Sequence, residues 1–374
     1  MRKGWEYKKL GEVCTLISDG SHNPPKGIDH SLYRMISSQN VFDDNLQITE
    51  DNVRYITESD HLCENKRTKL QKDVVLLTIV GTIGRSCVLK GNEGCLTLQR
   101  SVAALHPSDQ IMPRYLMHCL IGNRHTLNQE AHGIAQKGIY LKQLSSLSIP
   151  LPPKSTQLAI VSELDKINEL IRLKKEQLKD FDNLAQSLFF EMFGDPVENE
   201  KGWEVKKLNE IVSDNCSISY GIVQPGDGVE NGVPVVRPVD MTKTFVSRKG
   251  LKNTTKEISD SYKRTILKGN EILMCVRGTT GLISMATPEL QGCNVTRGIA
   301  PIECGPTCDK WFVFYQILNP AIQHHIAEYT RGIALKQINM KDVRDIPLCL
   351  PPLSLQRLFA QRIEQIEREK SEVQ

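Results

Sequence analysis

The apolar positions of this chain follow two patterns. From Leu151-Pro152-Pro153 to Gly194-Asp195-Pro196 some forty residues pass without proline or glycine. Within them Ile160, Leu164, Ile167, Ile171, Leu178, Phe181, Ala185, Leu188 and Met192 recur at steps of four and three, with Lys174 as the break. Proline suits the first turn of a helix, and glycine followed by proline stops one. The spacing therefore predicts a single long helix with a coiled-coil type stripe. At about 1.5 Å per residue it is roughly 58 Å long, a spacer rather than the core helix of a small domain. A second stripe of the same kind starts near Ser354 and continues through Phe359, Ile363, Ile366 and Val373, over only about twenty residues.

Elsewhere the apolar runs are short. Val74 to Val80 and Glu271 to Val276 read as buried strands entering glycine-framed turns. Each is followed by a second strand, at Cys87 to Leu89 and Leu282 to Met285, while Met112 to Leu120 and Lys310 to Leu318 read as short helices. These segments are copies of one another. Gly4-Trp5-Glu6-Tyr7-Lys8-Lys9-Leu10 returns as Gly202-Trp203-Glu204-Val205-Lys206-Lys207-Leu208, and Lys66-Arg67-Thr68 returns as Lys263-Arg264-Thr265. Gly81-Thr82-Ile83-Gly84 matches Gly278-Thr279-Thr280-Gly281, and Gly133-Ile134-Ala135 with Lys137 matches Gly332-Ile333-Ala334 with Lys336. Leu151-Pro152-Pro153 with Gln157 matches Leu350-Pro351-Pro352 with Gln356. Matches that keep their order at offsets of 197 to 199 mean one domain written twice. The expected organisation is a globular copy over 1–150, a spacer helix over 151–196, a second copy over 197–349 and a shorter helix over 350–374. Each copy is expected to be α+β with a largely antiparallel sheet.

Composition changes this picture little. With 374 residues, 40 % hydrophobic and 24 % charged, the chain is ordinary globular protein. The N-terminus, Met1-Arg2-Lys3-Gly4-Trp5, has no apolar h-region and no run is long enough to span a bilayer, so a cytoplasmic protein without membrane association is expected. The 11 cysteines are scattered through both halves and read as reduced thiols. Cys304 and Cys308 form a close pair that lacks the further ligands of a zinc site, and no metal site is expected. Charge is more telling in its distribution. Residues 1–150 carry +3, the helix region 151–200 carries −4 and residues 201–349 carry +4. Mildly basic globular parts on an acidic rod fit a polyanion held by the globular parts.

Catalytic signatures are imitated rather than present. Asn23-Pro24-Pro25-Lys26 resembles the amino-methyltransferase Asx-Pro-Pro turn but puts Lys where an aromatic should stack on the flipped base, and no glycine-rich loop for S-adenosylmethionine accompanies it. Glu64-Asn65-Lys66 with Asp51 imitates a metal-dependent nuclease, yet Ser261 replaces Glu64 in the second copy. The Gly-Thr turns lack the length and Gly-Lys-Ser/Thr ending of a phosphate loop. What they offer is close backbone approach to a partner, with Thr hydroxyls, Arg85 and Arg277 projecting.

Two variable domains each closed by Leu-Pro-Pro-x-x-x-Gln into a long helix, the helix end Leu188-Phe189-Phe190-Glu191-Met192-Phe193-Gly194-Asp195-Pro196 and the restart at Gly202-Trp203 together resemble the DNA specificity subunit of type I restriction-modification systems. The resemblance covers essentially the whole chain. It implies that each copy is a target-recognition domain reading one half of a split target in double-stranded DNA. It further implies that the long coiled-coil helices pair antiparallel, hold the domains apart and dock methyltransferase subunits, to which restriction/translocase subunits attach. S-adenosylmethionine, ATP and Mg are then expected on those partners and no cofactor in this chain. One departure is the short second helix. In this reading Arg34, Asn40, Thr82, Arg85, Arg100, Lys137 and Tyr140 meet DNA from the first domain, and Arg237, Arg277, Thr279, Thr280, Arg297 and Lys336 from the second. Arg is favoured for base edges and Lys for phosphates. Arg67 and Arg264 read equally as fold-keeping residues. The helix interface is expected at Ile160, Leu164, Ile167, Ile171, Leu178, Phe181, Leu188, Phe359, Ile363 and Ile366. The stripe at Ile160, Leu164, Ile167 and Ile171 is left without a partner in the chain and is open to self-association. The rival readings are a stand-alone DNA methyltransferase or nuclease, and a protein-binding coiled-coil adaptor.

Overall fold

The computed structural model describes residues 5–132, 137–226, 228–332 and 335–373. The repeated Gly133-Ile134-Ala135 and its counterparts Ile333 and Ala334 lie outside the described residues. The chain divides into two compact units, Met1–Ile171 and Arg172–Gln374.

Each copy begins and ends on the same strand pair. Glu6–Lys9 runs antiparallel to Ser148–Leu151 with Glu6 opposite Leu151, and Glu204–Lys207 runs antiparallel to Pro347–Leu350 with Glu204 opposite Leu350. The two most legible repeats, Trp-Glu-x-Lys-Lys-Leu and Leu-Pro-Pro, are therefore built around each other's partner strands.

Within the first copy the main sheet has the order Cys14–Asp19, Val102–Pro107, Val75–Thr78, Ser86–Val88, antiparallel throughout. Alternate residues of a strand face opposite sides. Val75, Leu77, Ala103 and Leu105 accordingly enter one core with helix α1 (Pro113–Gly122), while Leu76, Val102 and Ala104 enter another with Ile36 and Leu98. A smaller sheet places Tyr33–Ile36 between Arg54–Tyr55, antiparallel, and Cys95–Leu98, parallel.

The second copy repeats this plan. Ile272–Cys275 lies between Ile283–Met285 and Ile299–Ile302, all antiparallel, and Val233–Val236 lies between Lys252–Thr254, antiparallel, and Asn294–Val295, parallel. The central strands are shorter than their apolar runs. Beyond Thr78 and Cys275 the backbone turns through Gly81 and Gly84, and through Gly278 and Gly281, all at φ between +80° and +89°, where a side chain is strained.

Helix α2 spans Lys154–Phe193, α3 spans Lys310–Leu318 and α4 spans Leu353–Val373. The glutamine of each Leu-Pro-Pro-x-x-x-Gln junction fixes the helix start. Gln157 is fully buried; its Nε2 donates to the Gln110 and Pro152 carbonyls (3.0 and 2.9 Å) and its Oε1 accepts from the Met112 amide (2.9 Å), at the N-cap of α1. Gln356 does the same in the second unit. Its Nε2 donates to Thr307 and Pro351 (3.4 and 2.7 Å) and its Oε1 accepts from the Asp309 amide (2.9 Å), at the N-cap of α3. In the first unit Arg114 of α1 also clamps Asp165 of α2 at 2.7 and 2.8 Å and Asp44 at 2.9 Å. The hydrogen bonds from Arg114 hold the Asp165 carboxyl below its ordinary value, against the opposing effect of its partial burial.

The far end of α2 is capped from the restart of the sequence. Gly194 takes φ +78°, Lys201 Nζ donates to the Glu191 and Met192 carbonyls (2.8 and 2.9 Å), and Trp203 Nε1 donates to that of Phe193 (2.9 Å). There Phe189, Phe193, Phe312 of α3 and Phe359 of α4 pack with ring centroids 4.8–5.8 Å apart. Helix α4 runs antiparallel to the end of α2, from Phe359 beside Phe189 and Phe193 to the Val373 carbonyl, which accepts from Lys174 Nζ at 3.1 Å. Between them Lys370 is buried with Asp182 (2.5 Å) and Glu367 (3.4 Å). Burial alone would lower the Lys370 ammonium, but these carboxylates outweigh it and hold its pKa up.

Two features of the stripe differ from expectation. Ile160 packs with buried Val161 on the first copy's core, so it does not belong to an unpartnered seam. The deepest residues at the other end are Ala185, Phe189 and Phe193, with Phe181, Leu188 and Met192 only partly covered. The seam shifts because this part of α2 meets both α3 and α4, and two partners bury a wider arc than a two-helix stripe.

Replacing Gln157 or Gln356 by Ala leaves buried backbone groups without partners, at a cost of about 1–3 kcal/mol for each group. The expected outcome is a fall in the urea midpoint for each single variant, read by circular dichroism. An unchanged midpoint in both would mean that the junctions do not depend on the glutamines.

Candidate nucleic-acid interface

The end of the central strand organises a loop cluster in each copy. In the first, the Ile79 amide donates to Ser101 O (2.9 Å), the Ile139 amide donates to Ile79 O (2.9 Å) and the Gly81 amide donates to Lys137 O (3.3 Å). In the second, the Val276 amide donates to Gly298 O (2.8 Å), Ile338 donates to Val276 O (3.1 Å) and Gly278 donates to Lys336 O (2.9 Å). Segments far apart in sequence, 81–85, 100–101 and 137–140, are thereby brought together, and so are 277–281, 297–298 and 336–338. A fourth segment joins each cluster. The Ser38 amide donates to Ser101 Oγ (3.0 Å), and Pro238 lies so close to Gly298 that a Cβ there would stand 2.8 Å from Pro238 Cγ.

Most of the sequence candidates sit in these clusters. Thr82, Arg100, Lys137, Thr279 and Lys336 are exposed, as is Tyr140 at 70 %. Arg85, Arg277, Thr280 and Arg297 are half-buried. The Arg85 guanidinium lies over the Phe42 ring, 4.6 Å from its centroid, which aims it without consuming its donors. Thr280 Oγ1 accepts from the Thr330 hydroxyl at 3.1 Å.

Three candidates are tied elsewhere. Asn40 is fully buried. Its Oδ1 accepts from the Ser37 amide (2.9 Å), and its Nδ2 donates to Gln47 O (3.2 Å), Asn52 O (3.0 Å) and Asn52 Oδ1 (2.9 Å), so it staples a turn and has no surface to offer DNA. Arg237 forks onto Asp240 at 3.0 and 2.8 Å in the equivalent turn, which ties that edge of its guanidinium. Arg34 is half-buried and donates to the Glu93 carbonyl. Asn40 and Arg237 are internal staples of their turns; a polar residue that bonds its own backbone looks from sequence like one that faces a ligand.

Arg67 pairs with Asp19, which also holds His22 at 2.7 Å, and is thus fold-keeping, while Arg264 is exposed in a 3-10 turn. Glu64 and Lys66 lie on helix Glu58–Thr68, where Asn65 Oδ1 accepts from the Leu70 amide (3.1 Å) and helps to stop the helix. Asn23-Pro24-Pro25-Lys26 is a surface loop to which Arg54 donates at the Pro25 carbonyl (3.1 Å). Sequence reasoning passed over His132 and Arg331, exposed residues whose backbones pair with Gly138 and Gln337 at the base of the loops carrying Lys137 and Lys336. Their place immediately before the repeated Gly-Ile-Ala was the available signal.

Among the described residues no helix is long and apolar enough to cross a membrane, and no group of three or more His, Cys, Asp or Glu is placed to hold a metal ion. Burial pushes the Cys14 and Cys87 thiols up to about 12.

Comparison with known proteins agrees with this architecture. The specificity subunit of the type I restriction enzyme EcoBI of Escherichia coli is 24 % identical over 74 % of this chain and 63 % of its own length. A Methanocaldococcus jannaschii protein provisionally assigned as the MjaX specificity subunit is 23 % identical over 97 % of this chain and 87 % of its own. The chain thus spans less than two thirds of the first relative and most of the second. Among solved structures, the S subunit of a type I restriction-modification system from M. genitalium superposes with a TM-score of 0.53 at 14 % identity, covering 100 % of this chain and 94 % of that one. A chain from a type I system solved for its complex assembly and conformational transition gives 0.52 at 18 %, covering 100 % and 92 %. At these identities the likeness is one of fold. The model of the type I restriction modification DNA specificity domain matches residues 2–180 and again 200–374, so this chain belongs to that family and carries its domain twice.

Proposed function

We propose that this chain is the non-catalytic, sequence-specific DNA-binding subunit of a type I restriction-modification complex, in which each copy reads one half of an asymmetric split target and the helices scaffold the methyltransferase subunits. Restriction/translocase subunits join through those partners, which also carry S-adenosylmethionine, ATP and Mg. The observation that carries the reading is the loop cluster at one strand end in each copy. A fixed backbone frame there holds Thr82, Arg100 and Lys137 in one copy and the matching Thr279, Arg297 and Lys336 in the other, while Arg85 and Arg277 stand at positions that the copies do not share. Exposed Lys137 and Lys336 suit phosphates, whereas the half-buried Arg85, Arg277 and Arg297, the first of them aimed by the Phe42 ring, suit guanine edges.

The exposed part of the stripe on α2 supports the scaffold role. Leu164, Ile167 and Ile171 are 36, 50 and 46 % exposed, and an apolar row of this kind marks an interface. A methyltransferase subunit is its proposed cover, and in the free chain a second copy takes that place.

Three outcomes are expected. First, log affinity for duplex DNA falls linearly with log salt, and Lys137→Ala or Lys336→Ala makes the slope shallower by about 0.9 for each phosphate that is no longer neutralised. Asn40→Ala instead lowers the unfolding midpoint. Absence of duplex binding would favour the adaptor reading, and methyl transfer or cleavage by the purified chain alone would overturn the non-catalytic one. Second, methylated sites mapped in cells with the full system form a non-palindromic bipartite motif, because Gly81-Thr82-Ile83-Gly84-Arg85 and Arg277-Gly278-Thr279-Thr280-Gly281 present different groups. Arg85→Ala alters one half only. Third, light scattering of the free chain shows concentration-dependent association that Ile167→Asp reduces; a monodisperse monomer unaffected by the substitution would contradict it.

A further inference from the structure

The turn after strand Val233–Val236 is held on every side. The Asp240 amide donates to Arg237 O (2.9 Å), the Arg237 amide donates to Asp240 Oδ2 (2.9 Å), and the Arg237 guanidinium closes onto the same carboxylate. Met241, whose amide donates to Pro238 O (3.2 Å), is buried in the core behind it. Val239 rides on this turn with 69 % of its surface exposed. A lone exposed valine is ordinary. This one stands on a clamped turn that packs against Gly298, in the cluster that also holds Arg277 and Arg297.

The first copy has the same turn, although the two sequences share little there. It follows strand Tyr33–Ile36, and Asn40 takes the place of Asp240. The Asn40 amide donates to Ser37 O (3.0 Å) and the Ser37 amide donates to Asn40 Oδ1 (2.9 Å). The position of Val239 is occupied by Gln39, also exposed, with its Nε2 donating to Asn52 O at 2.8 Å. The staple is kept and the side chain it presents is exchanged, aliphatic in one copy and amide in the other. That is the signature of a position that selects rather than supports.

From this geometry we infer that residue 239, and residue 39 in the first copy, are specificity determinants, and that Val239 makes apolar contact with the 5-methyl group of a thymine in the half-site read by the second copy. The inference rests on the DNA-recognition reading above. Thymine carries its methyl in the major groove, where it is the apolar mark that sets an A·T pair apart from the other patterns of donors and acceptors. A valine on a rigid turn meets it with little loss of side-chain freedom. Gln39 belongs at a base edge that offers hydrogen-bonding groups, so exchange of the two residues exchanges the type of base preferred.

The test uses the full chain assembled with its methyltransferase subunits on the target defined by methylation mapping. Each thymine of the target is replaced in turn by deoxyuridine, which lacks only the methyl. One thymine, in one half-site, is expected to weaken binding about fourfold when its methyl is removed, the amount expected for one buried carbon. In Val239→Ala that difference between thymine and deoxyuridine disappears. In Val239→Gln the methylation motif changes at that pair, with the other half-site and the unfolding midpoint unchanged. No methyl-sensitive thymine in the unaltered complex, or a sensitivity that survives in Val239→Ala, overturns the proposal while leaving the recognition function intact. An unaltered complex that shows no preference for its mapped target overturns the recognition function and this inference with it.

Discussion

The buried glutamine at each junction is the interaction on which the rest of the structure depends. A helix N-terminus presents unpaired N–H groups, and the strand leading into it ends with unpaired carbonyls. Gln157 and Gln356 meet both needs at once, accepting from the amide that starts a domain helix and donating to carbonyls on two segments. A spacer helix is thereby welded to the domain that precedes it. Because both partners are buried backbone, no other residue type of that length and neutral charge offers a donor and an acceptor together. The Leu-Pro-Pro-x-x-x-Gln spacing is the covalent expression of this geometry: prolines where no amide is needed, and glutamine one turn later.

Frame and variable surface are separated within each copy. The frame consists of the strand pair that closes the copy, the central antiparallel strands and the glutamine weld, and it repeats almost unchanged. The loops at the end of the central strand are fixed by backbone hydrogen bonds and by glycines at positive φ, so the residues between those glycines are free to diverge while their positions stay put. The pattern of groups that these loops present can thus change without refolding of the frame. The turns at 37–40 and 237–240 show the principle in miniature, since one carboxylate or carboxamide holds the turn and the neighbouring residue, Gln39 or Val239, is not needed to close it.

Helix α2 carries two kinds of load. Its first turns are fastened by polar contacts, Gln157 and the Arg114–Asp165 clamp, and its last turns by four phenylalanine rings shared with α3 and α4. The pairing of Lys370 with Asp182 fixes the register of α4 on α2, because a shift of one turn would part the buried ammonium from the one carboxylate it reaches across the two helices, whereas Glu367 lies on α4 and moves with it. Between the two fastened ends the stripe stays apolar at Leu164, Ile167 and Ile171 and open to solvent.

The sequence by itself determined the repeat, the two long helices, the short helices and the central strands. All of these depend on near-neighbour chemistry: helical periodicity, proline and glycine punctuation, and strand-length apolar runs. It also picked out Thr82, Arg85, Arg100, Lys137 and their counterparts as polar residues beside glycine turns. Tertiary structure alone decided what those residues share, since 82, 100 and 137 meet only when three chain segments bond to one strand end. It also decided that Asn40 is buried and Arg237 tied to Asp240 while Gln39 and Val239 are exposed, and that Ile160 leaves the seam while Phe189 and Phe193 join it. The reason is the same in each case: a side chain's partners across the fold fix its direction, and local sequence does not record which of two polar or apolar neighbours will find one.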